Sequence, residues 1–146
     1  MPRLTEDGGV RASLEVGFGG GALPEAFSGL RGRVSRSIDG VAEFPFEDAQ
    51  FDVVLMAGRA VSRRSVKEAH RVLKPEGCLH FIVMERTKSQ EGFTLPQIYS
   101  VVRDGFNIVD VVRPAWWRFG SRGRTITICA QKKNWRPAIN AYRPYV

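Results

Sequence analysis

Glu15-Val16-Gly17-Phe18-Gly19-Gly20-Gly21 sets a carboxylate near the end of a short apolar run and follows it with a cluster of glycines. A strand that stops in glycine lets a ligand approach the backbone closely and leaves N–H groups free to bind it, the chemistry of a phosphate- or nucleotide-type turn. Arginine suggests a second chemistry. The clusters Arg31/Arg33/Arg36, Arg59/Arg63/Arg64, Arg113/Arg118/Arg122/Arg124 and Lys132/Lys133/Arg136 are rich in guanidinium forks. Such forks match paired anionic oxygens and favour an RNA, an acidic protein or an anionic lipid surface as partner. Trp116, Trp117, Phe119, Trp135, Tyr142 and Tyr145 lie among the last of these clusters. Aromatics interleaved with arginine can stack on bases or on a protein partner; for Trp116 and Trp117 the competing expectation is that they cover the sheet's own edge. His70 reads as a helix-face residue rather than a base. Cys78 and Cys129 each sit inside an apolar run and not in metal-ligand spacing, so they are expected to be buried packing residues, with neither a disulfide framework nor a metal site.

The elements that must position the glycine turn follow from periodicity. Residues 12–16 read as a strand that ends in that turn, and 22–30 as a helix with Pro24 in its first turn and Leu23, Ala26, Phe27 and Leu30 at helical spacing. A second strand is expected over 33–38, closing on Asp39-Gly40. The β-branched and apolar run at 51–56 suits a strand buried on both faces of a parallel sheet. After Ser62 or Ser65 as cap, Val66, Ala69, His70, Val72 and Leu73 recur at helical spacing, and Lys74-Pro75-Glu76-Gly77 stops that helix. Residues 78–84 make another central strand. Thr94 caps a further helix with Pro96 near its start and Gly105 at its end. Strands at 106–113 and 124–131 come last; their linker is too short for a crossover helix, so this pair is expected to be antiparallel. Strands alternating with helices and ending in a hairpin make an open three-layer α/β sheet.

A chain of 146 residues, 43% hydrophobic and 25% charged, supports one domain with a real core and leaves no room for a second. The division expected is a domain over 1–133 and an irregular C-terminal arm over 134–146, ordered against another chain. Twenty-two Lys and Arg against fifteen Asp and Glu give a net charge of +7, which reinforces the case for an anionic partner. No apolar stretch is long enough to span a bilayer, and the first residues lack the apolar core of a signal peptide. The expectation is an intracellular protein, cytoplasmic or organellar.

The strings LEVGFGGG, FPFEDAQFDVVLM and EAHRVLKPEGCLHFIV occur in the order and register of the class I S-adenosylmethionine-dependent methyltransferases. The chain resembles that family over roughly residues 12–133, most closely the branch that includes quinone-biosynthesis methyltransferases. The resemblance implies a Rossmann-like, mostly parallel sheet with helices on both faces and a C-terminal antiparallel hairpin, reduced relative to the full family fold. It implies S-adenosyl-L-methionine as cofactor, Glu15 as the acid ending the first strand, and Gly17, Gly19 and Gly21 as glycines lying against the methionine part. Phe18 and Gly20 stand where the family often has a small residue and a hydroxyl residue. His70 keeps its helix-face reading, and Val53 and Val54 are core.

Asp39 admits two alignments. In one it is the acid that grips the ribose hydroxyls, and the second helix and third strand of the family are missing. In the other it is the later, adenine-side acid, and the ribose acid is missing. Both remove part of a cleft wall, and the start of the chain leaves no N-terminal lid over the acceptor. Methyl transfer needs chiefly in-line positioning, with a base only where the acceptor carries a proton. After 51–56 come Ala57-Gly58-Arg59 and no Asn/Asp-Pro-Pro-aromatic string, which argues against base-amine or glutamine acceptors and names no catalytic residue. Two functions are therefore expected: a methyltransferase whose acceptor is presented by a partner or a second subunit, or an inactive methyltransferase-like subunit of an RNA–protein or organellar complex.

Overall fold

The computed structural model describes residues 11–19, 23–24, 27, 29–39, 43–84, 92–112 and 125–133. Among them one sheet of six strands organises the molecule: β1 Ala12–Val16, β2 Val34–Ile38, β3 Phe51–Ala57, β4 Leu73–Met84, β5 Phe106–Val112 and β6 Thr125–Lys132. Their order across the sheet is β2-β1-β3-β4-β6-β5. The first four run parallel, and β6 pairs antiparallel with both β4 and β5. The parallel neighbours and the terminal antiparallel pair are those expected from the apolar runs and the short linker.

Two helices cover one face. α1, Arg63–Val72, begins at a reciprocal cap in which Ser62 Oγ accepts from the Ser65 N–H at 3.1 Å and Ser65 Oγ accepts from the Ser62 N–H at 2.9 Å. α2, Leu95–Val102, has the same device in Thr94 and Gln97, with Pro96 in its first turn, where no N–H is needed. Val66, Ala69 and Val72 of α1 and Ile98 and Val102 of α2 bury against the face formed by Leu14, Val16, Val54, Met56, Leu79, Phe81, Val83, Ile126 and Ile128. On the opposite face, Val53 and Leu55 pack with Phe27, flanked by Phe18, Leu23, Leu30 and Ile82. Period-two alternation along β3 and β4 thus feeds both faces, which is why these strands read as continuous apolar runs.

The structure differs from two local expectations. In the segment expected as a helix over 22–30, of which residues 23, 24, 27, 29 and 30 are described, the bonds run from the Phe27 N–H to the Pro24 carbonyl and from the Leu30 N–H to the Phe27 carbonyl, both 2.9 Å. These are i→i+3 bonds, the spacing of 3-10 turns rather than of an α-helix. α1 does stop before 74–77, at Val72, but the strand that follows begins earlier than expected, at Leu73, and 74–77 are an irregularity inside β4. Leu73 pairs with Phe51 and the next aligned pair is Cys78 with Val53; Glu76 takes the excess chain at φ +68°.

Candidate functional site

The carboxyl ends of β1, β2 and β3 lie side by side, and the residues after them form the candidate site. Val16 is level with Ile38 on one side and with Met56 on the other. The Gly17 N–H donates to the Ile38 carbonyl at 2.8 Å, which extends the β1–β2 ladder by one bond into the turn. Asp39, exposed, therefore follows β2 directly beside the glycine turn. β2 is the immediate parallel neighbour of β1 and one of the two edge strands among those described.

Gly17 and Gly19 have φ of +86° and +65°, a region where a Cβ is strained. Their surroundings differ. A Cβ on Gly17 would lie 2.8 Å from Ala60 Cβ and 3.3 Å from Ala57 Cβ, so this glycine lets the turn pack on the 3-10 turn Gly58–Ala60 that follows β3. Among the described residues, a Cβ on Gly19 would meet only Arg59 Nη2, at 3.8 Å. Arg59 donates from Nε to the Gly17 carbonyl at 2.8 Å, which holds its guanidinium beside the turn. The first strand's glycine turn thus carries a fixed cation that the sequence reading named only as one of a basic cluster; its signal was its position immediately after a buried strand end.

Glu15 is buried, and both of its carboxylate oxygens accept from Arg31: Nε to Oε2 at 2.5 Å and Nη2 to Oε1 at 2.9 Å. This bidentate pair raises the Arg31 pKa further, through the hydrogen bond and then the charge of Glu15. The carboxylate is charge-compensated inside the protein. Phe18 turns its ring edge-on to Phe27, centroids 6.2 Å apart, so its bulk is taken up by the core cluster rather than by the turn. Gly20 and Gly21 lie outside the described residues, as do Trp116, Trp117, Phe119 and the arm at 134–146.

The remaining motif residues are placed elsewhere. Phe44 is buried, Phe46 meets Phe51 edge-on at 5.0 Å, and Arg71 ties this loop down by donating to the Phe44 and Phe46 carbonyls at 2.9 and 2.8 Å. The loop precedes β3 and therefore lies at the end of the sheet opposite the glycine turn. His70 packs edge-on to Phe106 at 5.4 Å, with Nε2 buried and without a hydrogen-bond partner; burial, then the charge of Lys132, holds its pKa below the usual value. It lines a cavity of about 410 Å³ with Arg63, Lys67, Val101 and Asp104, on the helix-covered face and remote in chain order from the turn.

The cysteines are a correction. Neither is a fully buried packing residue: both are free and half-buried, and their thiols lie together with the His80 ring on the face opposite α1 and α2. The Cys129 thiol raises the other's acidity, taking Cys78 to about 7, while its own pKa is pushed up by the Cys78 hydrogen bond and by burial.

Comparisons with known proteins bear on the ends of the strands. Residues 31–81 match the family model described as methyltransferase domain. No curated protein sequence matches the chain. Among solved structures, a SAM-dependent methyltransferase from Aquifex aeolicus superposes with a TM-score of 0.63 at 16% identity, covering 90% of this chain and 88% of that one. The Burkholderia thailandensis 1,6-didemethyltoxoflavin-N1-methyltransferase, solved with 1,6-didemethyltoxoflavin and S-adenosylhomocysteine bound, gives 0.60 at 19% identity, over 90% of this chain and 75% of that one. A complex containing the Haloferax volcanii Trm112 methyltransferase activator gives 0.62 at 14% identity, over 85% and 82%. At these identities the likeness is one of fold.

Proposed function

We propose that the chain, which has the fold of the S-adenosylmethionine-dependent methyltransferases and matches a methyltransferase-domain family model over residues 31–81, is a class I member of that family, binds S-adenosylmethionine across the carboxyl ends of β1, β2 and β3 and directs its methyl group to a nucleophile. The observation that carries this reading is the convergence of an open positive-φ glycine, an exposed carboxylate and a fixed guanidinium at one end of the sheet. Open α/β sheets bind ligands at that end.

The donor set fits the cofactor's chemistry. Gly19 leaves a place that a Cβ would fill, so a ligand can lie against the backbone there. Asp39 offers two acceptor oxygens, the number a ribose diol needs. Arg59, held by its bond to the Gly17 carbonyl, offers a fork for an α-carboxylate. Glu15 already accepts from Arg31 through both oxygens, so it contributes less as a free anion than as the anchor of the segment around Arg31. When bound, the sulfonium supplies an electrophilic methyl carbon; the chain's part is to bind and orient. Gly17 fixes the turn against Ala57 and Ala60, Asp39 and Arg59 set the two ends of the ligand, and the residues after β3 line the approach of the acceptor.

That approach holds Ala57, Gly58 and Arg59 and no amide-gripping string, so the reading does not extend to base amines or glutamine side chains. A partner or second subunit that presents the acceptor is part of the proposal. The solved complex with an activator protein is a precedent for such partnership in a protein of this fold.

A second reading, an inactive member kept for interaction, is favoured by one pair of observations: the Glu15 carboxylate is closed by Arg31, and Val34–Ser37 of the outermost strand are all exposed. Calorimetry with S-adenosylmethionine and with S-adenosylhomocysteine separates the two. Saturable binding that Asp39→Ala weakens supports the first reading; absence of heat and of any thermal shift at millimolar ligand leaves the second.

A further inference from the structure

The chain contains two cysteines and two histidines, and both cysteines and one of the histidines meet in one place. Cys78 and His80 are two residues apart on β4 and so project to the same face; Cys129 of β6 is the residue directly opposite His80. The Cys78 thiol, the Cys129 thiol and a His80 ring nitrogen all lie within 4.8 Å of one another, and Cys129 Sγ is 3.8 Å from His80 Nε2. This face is covered by Phe27, whose ring meets the His80 ring edge-on at 6.2 Å and holds its plane. The group lies below the strand ends that carry the proposed cofactor site, and nothing in that site uses it.

We infer that Cys78, Cys129 and His80 form a binding site for one thiophilic divalent cation of the zinc class, which clips the terminal hairpin to the parallel sheet. Zinc–sulfur and zinc–nitrogen bonds of about 2.3 and 2.0–2.1 Å at tetrahedral angles put ligand atoms roughly 3.6–3.8 Å apart. The Cys129–His80 separation of 3.8 Å is already within about 0.3 Å of the sulfur–nitrogen edge, and the remaining edges close with side-chain movements of about an ångström. Two thiolates and a neutral imidazole are the donors zinc prefers over harder cations. They neutralise its charge, so the guanidinium of Arg11, whose field reaches both Cys78 and His80, is not opposed. Asp110, the residue opposite Cys129 on β5, adds a negative charge at the rim. All three ligands are half-buried, which leaves a fourth position to water or an exogenous ligand.

A disulfide is the chief competitor, and the register opposes it. Cys78 is opposite Gln131 while Cys129 is opposite His80, so the cysteines are diagonal neighbours. Diagonal pairs stand about 7–8 Å apart, beyond the roughly 4.4–6.8 Å between Cα atoms that a disulfide accepts. A cation between the sulfurs spans that gap.

The test is a titration of the reduced, chelator-stripped full chain with Co²⁺ and then Zn²⁺. Expected are one equivalent of Co²⁺ with near-ultraviolet sulfur-to-cobalt charge transfer, visible bands of tetrahedral intensity, and their loss on adding Zn²⁺. Cys78→Ser, Cys129→Ser and His80→Asn should each weaken binding by at least the roughly 10–100-fold that outer-shell losses cost elsewhere. His70→Asn, which removes the only other histidine, should leave the spectrum unchanged. Should the ligand variants fail to fold, zinc protection of the native thiols from alkylation, reversed by chelator, gives the same information without mutation. Absence of charge transfer at saturating Co²⁺, unprotected thiols in zinc, or a spectrum indifferent to Cys78→Ser would each overturn the site. So would a native Cys78–Cys129 disulfide that forms as readily with zinc as without it.

Discussion

Gly17 and Gly19 are near-neighbours in one turn, both at positive φ, yet the structure assigns their missing side chains to different tasks. Gly17→Ala meets two penalties. Holding an L-residue at φ +86° costs about 1–2 kcal/mol, and a Cβ 2.8 Å from Ala60 Cβ with Ala57 Cβ behind it adds an overpacking cost of roughly 1–3 kcal/mol. The sum, about 2–5 kcal/mol, corresponds in a chain of this length to a fall in melting temperature of roughly 4–20 °C. Gly19→Ala is expected to meet only the backbone part, because among the described residues its Cβ finds nothing nearer than Arg59 Nη2 at 3.8 Å. Its stability loss should be no more than about 1–2 kcal/mol, while its Cβ occupies the space assigned to the ligand. Urea unfolding of both variants, with S-adenosylmethionine calorimetry on each, reads the two effects separately. Gly17→Ala/Ala60→Gly adds a third measurement: deleting the Cβ that collides should recover the overpacking part and leave the φ strain. Equal destabilisation by the two single substitutions, or a Gly19→Ala protein with undiminished affinity, would refute the division of labour and with it the placement of the ligand over Gly19.

Four further outcomes are expected. Asp39→Ala should weaken S-adenosylmethionine binding by about 1–3 kcal/mol, roughly 5–150-fold, with little change in melting, since its side chain is exposed. Arg59→Ala should weaken the same binding but leave affinity for the decarboxylated analogue unchanged, as calorimetry with both ligands will read; equal losses would remove the carboxylate assignment. In metal-free protein, stability should fall as pH drops below about 6.5: burial lowers the folded pKa of both His70 and His80, so the unfolded chain binds more protons there, and neutral-form stability present above that pH is lost towards the folded values. A urea midpoint that is the same at pH 5.5 as at 7.5, or higher, contradicts this, and His70→Asn should flatten part of the dependence. Deleting 134–146 should lower affinity for a partner captured by the full chain while leaving the melting temperature of the domain nearly unchanged; a large loss of melting temperature would place the arm on its own sheet instead.

The fold was legible where local chemistry and burial agree. The run Phe51-Asp52-Val53-Val54-Leu55-Met56 could be nothing but a central strand, because both of its faces are apolar and its neighbours are turns; β3 lies between β1 and β4 with Val54 and Met56 in one cluster and Val53 and Leu55 in the other. The Thr94 cap was readable, and the other was narrowed to Ser62 or Ser65; the structure makes Ser62 the cap and Ser65 its reciprocal partner, a pairing that satisfies two otherwise free donors within a single turn of chain. At Phe27 and Leu30 the described bonds are i→i+3, and helical spacing of apolar side chains does not by itself distinguish such turns from an α-helix.

The candidate site divides along the same line. Gly17 and Gly19 announce themselves because positive φ restricts residue type at the position itself. Arg31 and Arg59 do not, because what matters is which carboxylate or carbonyl the register brings opposite: Arg31 reaches Glu15 only once the chain has turned back into β2, and Arg59 reaches the Gly17 carbonyl only because β3 neighbours β1. The same argument explains why two cysteines far apart in sequence carried no metal signal. Short ligand spacings identify sites built within one loop, whereas Cys78, His80 and Cys129 are brought together by one antiparallel register, in which a slip of a single residue would carry Cys129 to the helix-covered face and away from His80. A sheet can therefore assemble a soft-metal ligand set from residues that separately pass for core packing, and only the pairing of β4 with β6 reveals it.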